Sequence, residues 1–560
     1  MPSIDHEAPG PGDREGSARP AGADGSSSTG PPANGASGGP TLSRRRPENT
    51  TLYAVVRDNL ETFYGAADDG AIDAVLPKFV RDELEGFLSC GLLCRGFAKL
   101  ACPTCPAESH LVAFSCGGRG FCPSCLGRRM CSTAANLVDL VLPREAPVRQ
   151  WVVTFPFAWR KRLGYDAELL GALGSLFVKT VLGFYAERLA KAGAPGGQSG
   201  AVAVVQRTSS DLKLAPHYHV LYVDGVFRAD GEEIAFHALP HLGNRDVAEV
   251  LERTITRMTR YLERRGLLAE NDEGGRDLTD DPTKANDTVA ASAVSGATPP
   301  SGPEIRRGNV LPRPLGPLVF DKPLCVAKDG FTLHAATRAG AADAKGKEAL
   351  VQYVLRPPIA EKHVQRGPDG LVRVVLKRPY SDGTTAIDMD PLSLISRLAA
   401  SVPAPRRHTV KYAGILAPAA KLRSRVIPPP PEPAPTPEAS DAEVAGAAGA
   451  GGGEGGANDG DGQASDDTAS SKKKKRSTYR SFAELLRRNF HIEISCPSCH
   501  APMKLRALVT DPRSVARYLR AIGEPTDLPS RAPARGPPYW KSRVMRRRAG
   551  FEDTDTHSAA

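Results

Sequence analysis

The sequence predicts an α+β protein in which a helical and zinc-ribbon module precedes a larger domain built on a β-sheet. Two observations support this fold class. Most of the 11 cysteines cluster between positions 90 and 131, directly after a helical pattern at 51–88. Strand-like runs at 148–155, 201–206 and 212–227 then alternate with amphipathic helical patterns such as 167–190. We therefore expect a small metal-stabilised module followed by a sheet covered by helices.

Composition divides the 560 residues into ordered and disordered segments. Stretches rich in Gly, Pro, Ala, Ser and Asp bury too little apolar surface to offset the entropy of ordering, so they predict disorder. The predicted segments are a disordered tail at 1–50, a helical and zinc-binding domain at 51–147, a sheet domain at 148–427 with a disordered insertion at 270–312, a disordered linker with a basic run at 428–480, and a C-terminal zinc-knuckle module and tail at 481–560.

The overall charge favours a polyanionic partner. The chain has 73 Lys and Arg against 63 Asp and Glu, for a net charge of +10 and a pI near 9.0. No run approaches the ~18 consecutive apolar residues of a membrane span, and the N-terminus lacks the apolar core of a signal peptide. We therefore expect a cytoplasmic protein without a membrane partner, whose cysteines are more suited to metal than to disulfides.

The spacing of four cysteines predicts a zinc ribbon. Cys102-Pro-Thr-Cys105 and Cys122-Pro-Ser-Cys125 each form a turn that aims two thiolates at one ion, and the separation between the pairs is typical of a four-cysteine site. A redox or incidental role is the alternative.

Other cysteines predict further metal sites less directly. Cys90 and Cys116 are candidates for a second zinc site, and Cys496-Pro-Ser-Cys499 is half of a third. The groups that would complete this half site are His491, His500 or a cysteine from elsewhere in the chain. Spare candidates, each equally well explained as an unliganded side chain, are Cys94, His110 and Cys131.

A His-x-His strand is the most informative stretch of the larger domain. Alternate side chains of a strand share a face, so His217 and His219 project together while Tyr218 points to the opposite face. Two imidazoles on a rigid strand provide most of a metal site, although two ordinary histidines at a sheet edge give the same pattern. The third ligand stays open, with Gln206 on the neighbouring strand as a weak candidate.

A tyrosine far downstream fits the chemistry of such a metal site. Tyr353 lies in the last turn of a helix that Pro357 and Pro358 stop, with Arg356 nearby. A divalent ion can polarise a phosphate while a tyrosine activated by the ion or by a cation attacks in line, leaving a 5′-phosphotyrosine and a free 3′-OH. The covalent link conserves the bond energy, and the sequence has no phosphate-binding Gly-x-x-x-x-Gly-Lys loop, so no nucleotide cofactor is expected.

Basic and aromatic residues interleave with the cysteine block. Along the sequence, Arg119 lies between Phe114 and Phe121, and Arg128 and Arg129 follow Phe121. Alternating cations and aromatic rings are suited to phosphate contacts and base stacking. A solvated basic face is the alternative. With Arg356, these arginines are the candidate DNA-binding residues.

The block from Cys90 to Pro143 resembles the zinc-binding domain of bacterial rolling-circle insertion-sequence transposases, which belong to the HUH (His-hydrophobic-His) superfamily. The likeness covers most of residues 55–425 together with Cys496-Pro-Ser-Cys499. Its further motifs are Arg149-Gln-Trp151, Pro216-His-Tyr-His219, Asp224-Gly-Val-Phe227, Tyr353-Val-Leu-Arg-Pro-Pro358, Lys377-Arg-Pro379, Asp382-Gly-Thr-Thr385 and Tyr412-Ala-Gly-Ile-Leu-Ala-Pro418.

This resemblance implies an antiparallel HUH-type nuclease domain that nicks single-stranded DNA at transposon ends and transfers the strand to target DNA. It implies that His217 and His219 hold Mg²⁺ or Mn²⁺, that Tyr353 is the nucleophile, and that zinc is structural. Many family members carry a second tyrosine where this chain has Ala349, so the chain resembles the one-tyrosine branch. The alternative is a non-catalytic zinc-dependent DNA-binding protein, against which the intact histidine pair and tyrosine argue.

Overall fold

The structure, a computed structural model, describes residues 44–72, 76–105, 108–270, 276–279, 318–377, 379–380, 383–427, 480–490, 492–548 and 550. Most of the tail, insertion and linker expected to be disordered lies outside these residues. Residues 44–50 of the predicted tail are described, and they bind the rest of the chain through ion pairs from Arg44 to Glu524 and from Arg45 to Glu361.

The predicted helical segments 51–88 and 167–190 form helices, and several helices of the chain begin at side-chain caps. The Asp166 carboxylate accepts a hydrogen bond from the Leu169 amide (3.0 Å), and the Asp343 carboxylate does the same for Gly346 (2.7 Å). In the described residues the α-helices are α1 (Thr51–Asp68), α2 (Lys78–Ser89), α3 (Pro123–Leu140), α4 (Arg160–Tyr165), α5 (Ala167–Lys191), α6 (Asn244–Glu263), α7 (Ala344–Leu355), α8 (Pro391–Ser401), α9 (Arg423–Val426), α10 (Phe482–Phe490), α11 (Pro512–Ala521) and α12 (Arg543–Arg548).

The strands form one large sheet and several small ones. They are β1 (Phe97–Ala101), β2 (Ser109–Ala113), β3 (Val148–Thr154), β4 (Gly200–Thr208), β5 (Leu214–Val223), β6 (Gly225–Asp230), β7 (Glu233–Ala238), β8 (Leu268–Glu270), β9 (Arg276–Leu278), β10 (Val319–Lys322), β11 (Cys325–Lys328), β12 (Phe331–His334), β13 (Arg338–Ala339), β14 (Val364–Arg366), β15 (Val372–Val375), β16 (Ala386–Met389), β17 (Val410–Gly414) and β18 (Lys504–Val509).

The large sheet is antiparallel and is buried on both faces. Within the described residues it has eight strands in the order β10-β11-β12-β3-β5-β4-β17, with β13 pairing beside β12 on β3. One face, including Trp151 and Tyr218, packs on α5 and α6, while the other, including Val204 and Leu221, packs on α3 and α7. The fold is therefore mixed α+β with a central antiparallel sheet.

The N-terminal and C-terminal parts of the chain form one module. β1 pairs with β2 on one side and with β18 on the other, so the sheet order is β18-β1-β2. The core of α1 and α2 also takes in Tyr539 and Trp540. The C-terminal residues thus build part of the zinc-binding region.

Helix α5 is, among the described residues, the helix long and apolar enough by composition to cross a membrane. Its Leu173, Phe177 and Tyr185 are fully buried in the core between α5 and the sheet. This packing accounts for the apolar composition of the helix.

One glycine of α5 is required by a close approach to the His-x-His strand. A Cβ at Gly174 would lie 2.1–2.6 Å from atoms of the Tyr218 ring, whose hydroxyl donates to the Leu170 carbonyl oxygen (2.8 Å). We expect Gly174→Ala to lower the free energy of unfolding by about 1–3 kcal/mol, because the ring must leave its site.

The matched control is Gly183→Ala on the same helix, where an added Cβ would meet nothing within 4 Å. Alanine should there raise helix stability by about 0.5–1 kcal/mol. Denaturant unfolding of both variants measures the difference; equal stabilities would contradict the predicted packing.

Candidate metal and tyrosine site

Strand pairing places the two predicted histidines on one face of the sheet. His217 and His219 lie on β5, opposite Thr154 and Val152 of β3, and their ring centroids are 5.0 Å apart. Tyr218 points to the other face against α5, as the alternation predicts. The histidine face is the one that α7 covers.

Each imidazole is fixed by a hydrogen bond at Nδ1. His217 Nδ1 lies 2.6 Å from the Ala215 carbonyl oxygen and must donate to it, which leaves a lone pair on Nε2. His219 Nδ1 lies 2.5 Å from the Gln150 side-chain nitrogen, Nε2, which exchanges places with the amide oxygen when the amide is flipped. The Nε2 atom of His219 is buried and has no hydrogen-bond partner among the described residues.

Burial keeps both imidazoles neutral. The pKa of His217 is lowered to about 4, chiefly by burial and also by nearby Arg160 and Arg356, against the opposing hydrogen bond to Ala215. Burial also lowers the pKa of His219 to about 2, aided by His217 and Arg356. Neutral imidazoles are the form that binds a metal, so the unpartnered Nε2 of His219 fits a ligand role.

Tyr353 stands beside the histidine pair. Its ring centroid is 6.3 Å from that of His219, its side chain is 42% exposed, and the Arg356 guanidinium carbon lies 4.3 Å from its ring centroid. Ala349 lies one turn earlier on α7. The structure therefore brings Tyr353, Arg356 and the two histidines together from sequence positions more than 130 residues apart.

Gln206 anchors the end of the tyrosine helix. It is the β4 partner of His217, and its side-chain nitrogen donates to the Val354 carbonyl oxygen (2.6 Å). This bond satisfies a carbonyl at the helix C-terminus, where no intrahelical donor remains. Among the described residues, no third His, Cys, Asp or Glu ligand atom clusters with the histidine pair.

Sequence reasoning missed several residues at this site. Gln150 belongs to the Arg149-Gln-Trp151 motif, and alternation along β3 was the signal that could have placed it on the histidine face. Lys377 belongs to the Lys377-Arg-Pro379 motif, whereas Arg160 carried no local signal. Arg160 and Arg356 add to the positive potential around His217. Lys377 lies near Arg356, and its pKa is lowered to about 8, chiefly by burial and also by Arg356.

The cysteines form two separate four-sulfur clusters. In each cluster the ligand atoms lie within 4.8 Å of one another. Zinc bound to sulfur at about 2.3 Å in a tetrahedron separates the sulfurs by about 3.8 Å, so both clusters match structural zinc sites. The clusters are Cys90, Cys116, Cys122 and Cys125, and Cys102, Cys105, Cys496 and Cys499.

The first cluster lies where α2 ends and α3 begins. Cys125 Sγ is 3.6 Å from Cys90 Sγ and 3.4 Å from Cys116 Sγ. Hydrogen bonds from neighbouring thiols, first that of Cys116, lower the pKa of Cys90 to about 7 and that of Cys125 far below its usual range. A lowered thiol pKa favours the thiolate, which is the form of cysteine that binds a metal.

The second cluster joins the two ends of the chain. Cys102 Sγ is 3.5 Å from Cys499 Sγ and accepts hydrogen bonds from the Thr104 and Cys105 amides (3.4 and 3.2 Å). The predicted ribbon that combined the Cys102 pair with the Cys122 pair is therefore wrong in its grouping. Pairing of β18 with β1 carries the Cys496 knuckle to the Cys102 knuckle, which local spacing does not encode.

The remaining ligand candidates stay outside both clusters. Among the described residues Cys94, His110, Cys131 and His500 are not part of either four-sulfur group. His491 lies outside the described residues.

The predicted DNA-binding arginines occupy two regions. Arg356 lies at the tyrosine, whereas the other three lie in the zinc module. There Arg119 donates to the Arg407 carbonyl oxygen (2.6 Å), Arg129 donates to the Gly117 carbonyl oxygen (3.2 Å), and the Arg128 guanidinium carbon lies 5.9 Å from the Phe482 ring centroid.

Comparison with known families links both regions to DNA transposition. Residues 62–155 match the IS91-type "Transposase zinc-binding domain", and residues 200–424 match the Y2_Tnp family, described as "Putative transposase". No curated protein and no solved structure matches the chain. The first match spans six of the eight clustered cysteines and the second spans His217, His219 and Tyr353. Both matches are to transposase models, and together with the two four-sulfur clusters they support an IS91-family transposase, a DNA-processing protein with structural zinc.

Proposed function

We propose that this transposase is an HUH-type tyrosine nuclease that nicks single-stranded DNA at transposon ends and transfers the cut strand by rolling-circle transposition. The observation that carries the proposal is the juxtaposition of Tyr353 with His219, at 6.3 Å between ring centroids, on the face of an antiparallel sheet that also holds His217. A divalent ion, Mg²⁺ or Mn²⁺, would supply Lewis-acid polarisation of the scissile phosphate there.

The side chains divide the chemistry between them. The Tyr353 oxygen attacks phosphorus and loses its proton, while the bond from phosphorus to the 3′ oxygen breaks and that oxygen leaves as a 3′-OH. Arg356 stabilises the negative charge on the attacking oxygen, and Arg160 and Lys377 attract the phosphate. Attack by another 3′-OH on the phosphotyrosine reverses these bonds and joins the strand to target DNA.

Ala349 one turn before Tyr353 supports a single nucleophile per chain. In this one-tyrosine scheme the same side chain is freed after each transfer. Mechanisms that hold two covalent DNA ends would then require two copies of the chain.

We assign Gln150 as the residue that orients His219. After a flip of its amide that turns the oxygen toward His219, Gln150 accepts the Nδ1 proton and leaves the buried Nε2 lone pair for the ion. We expect Gln150→Ala to raise the Mn²⁺ concentration needed for half-maximal nicking roughly 10–100-fold. Gln150→Glu should restore it, because a carboxylate accepts the same proton.

Gln206→Ala is the comparison variant, since Gln206 bonds the tyrosine helix through Val354. It should slow nicking at saturating Mn²⁺ more than it changes the half-maximal concentration. A Gln150→Ala protein with an unchanged Mn²⁺ requirement would contradict the orienting role.

The direct test is covalent capture of DNA. Purified protein is incubated with Mg²⁺ or Mn²⁺ and labelled single-stranded DNA from the ends flanking the gene, then resolved on a denaturing gel. A labelled adduct that requires the divalent ion and maps to Tyr353 by peptide mass supports the nuclease. Binding without any adduct, with correct ends and both metals, would support the non-catalytic DNA-binding alternative.

A further inference from the structure

A large groove lies between the two zinc clusters. It has a cavity volume of about 900 Å³ and touches Cys90 and Cys125 of the first cluster and Ser495 and His500 beside the second. Its walls are the β18-β1-β2 sheet, α10 and the chain near Arg44. We call it the inter-zinc groove; the residues that define its apolar wall are Leu100, Leu111, Phe114, Phe482, Leu505 and Leu508.

The apolar wall is open to solvent. Leu505 and Leu508 on the edge strand β18 are 57% and 62% exposed. Large exposed apolar side chains that are grouped in a concave site often mark a binding surface, whereas single exposed apolar side chains are common on any protein. The aromatic rings of Phe114 and Phe482 add flat surfaces to the same groove.

The charged residues of the groove favour an anion. Arg44 and Arg45 are neutralised by Glu524 and Glu361, and the lining Glu484 is paired with Arg480. Among the described residues, the lining Arg128 and Arg487 form no ion pair, and the carboxylate left to oppose them is that of Glu493.

Helix α10 connects the groove to the tyrosine helix. Phe482 and Arg487 of α10 line the groove. In the same helix, Arg488 donates to the Glu348 carboxylate (2.8 Å), and the Asn489 side-chain oxygen accepts from Gln352 (2.6 Å). Glu348 and Gln352 both lie on α7. A ligand in the groove is therefore one helix away from the helix that carries Tyr353.

We propose that the inter-zinc groove binds a short segment of single-stranded DNA. Arg128 and Arg487 contact its phosphates, while Phe482, Leu505 and Leu508 contact base faces. Unpaired bases expose the faces that such an apolar wall needs, whereas duplex bases are stacked inside the helix. The choice of single strands rests on the proposed function; DNA as the substrate class rests on family membership.

The test measures binding rather than cleavage. Full-length Tyr353→Phe protein, with no divalent ion added, is titrated into fluorescently labelled single-stranded transposon-end DNA and into the same sequence as a duplex. We expect Leu505→Asp and Arg487→Glu each to weaken single-strand binding roughly tenfold. Arg487→Glu should also reduce the slope of log affinity against log salt by about one.

Matched controls use exposed residues outside the groove. Leu528→Asp controls for the apolar-to-acid change at a leucine that is 41% exposed, and Arg260→Glu on α6 controls for the charge reversal. Zinc content of every variant checks that the module is folded. If the Leu505→Asp protein has lost zinc, its module is not folded, and the test of the groove then rests on the Arg487→Glu variant, whose side chain is exposed.

The outcomes separate this proposal from the nuclease. Groove variants that bind like their controls, or a preference of the parent Tyr353→Phe protein for the duplex, overturn the groove proposal even if the wild-type protein forms the adduct on Tyr353 normally. Weakened binding by groove variants supports it even if no adduct is ever detected.

Discussion

Tyr353→Phe is expected to abolish the covalent protein–DNA adduct, with a loss of roughly a thousandfold or more, because the attacking oxygen is removed. Binding of single-stranded DNA should change little. The ring is partly exposed, and its hydroxyl makes no hydrogen bond within the described residues, so phenylalanine keeps the contacts with His219 and Arg356. Denaturing gels measure the adduct, and fluorescence anisotropy measures the binding.

Tyr412→Phe is the matched control, since Tyr412 on β17 is a similarly exposed tyrosine (37%). It should form the adduct at the wild-type rate. An adduct that persists in Tyr353→Phe, attached to another residue, would refute Tyr353 as the nucleophile.

Paired cysteine substitutions should show which sulfurs share a zinc ion. We expect about two zinc ions per wild-type chain and about one in Cys102→Ser or Cys499→Ser, because each change opens the same cluster. The double variant Cys102→Ser/Cys499→Ser should still hold about one zinc ion. Cys102→Ser/Cys122→Ser should hold none, because it opens both clusters. Metal analysis of the purified proteins provides the count.

Cys94→Ser controls for loss of a thiol near the module, since Cys94 lies outside both clusters. A reversed pattern, in which the Cys102 and Cys122 changes remove one ion while the Cys102 and Cys499 changes remove both, would restore the ribbon predicted from spacing. We also expect opening of the second cluster to loosen the C-terminal residues, which limited proteolysis would detect.

Local patterns predicted much of the fold. The alternation of β5 placed His217 and His219 on one face with Tyr218 on the other, because successive strand residues point to opposite sides. The proline pair after Arg356 ended the tyrosine helix where expected, since proline cannot continue it. The helical periodicity at 167–190 corresponds to helix α5.

Long-range contacts were beyond such patterns. The pairing of β3 with β5 brings the Gln150 side chain to His219, and the packing of α7 on the sheet brings Gln206 to the Val354 carbonyl oxygen. The spacing of these residues along the sequence predicts neither contact. The cation group of Arg160, Arg356 and Lys377 is likewise assembled from three separate segments.

The sequence by itself determined the residue types of the chemistry: paired cysteines for zinc, a His-x-His strand, and a tyrosine in a helix that two prolines end. Only the tertiary structure decided how these groups combine. The Cys102 knuckle meets the Cys496 knuckle because β18 pairs with β1 in a register set by backbone hydrogen bonds between distant segments. Residue spacing gives only the distance along the chain, whereas a zinc site depends on the distances between the ligand atoms in space.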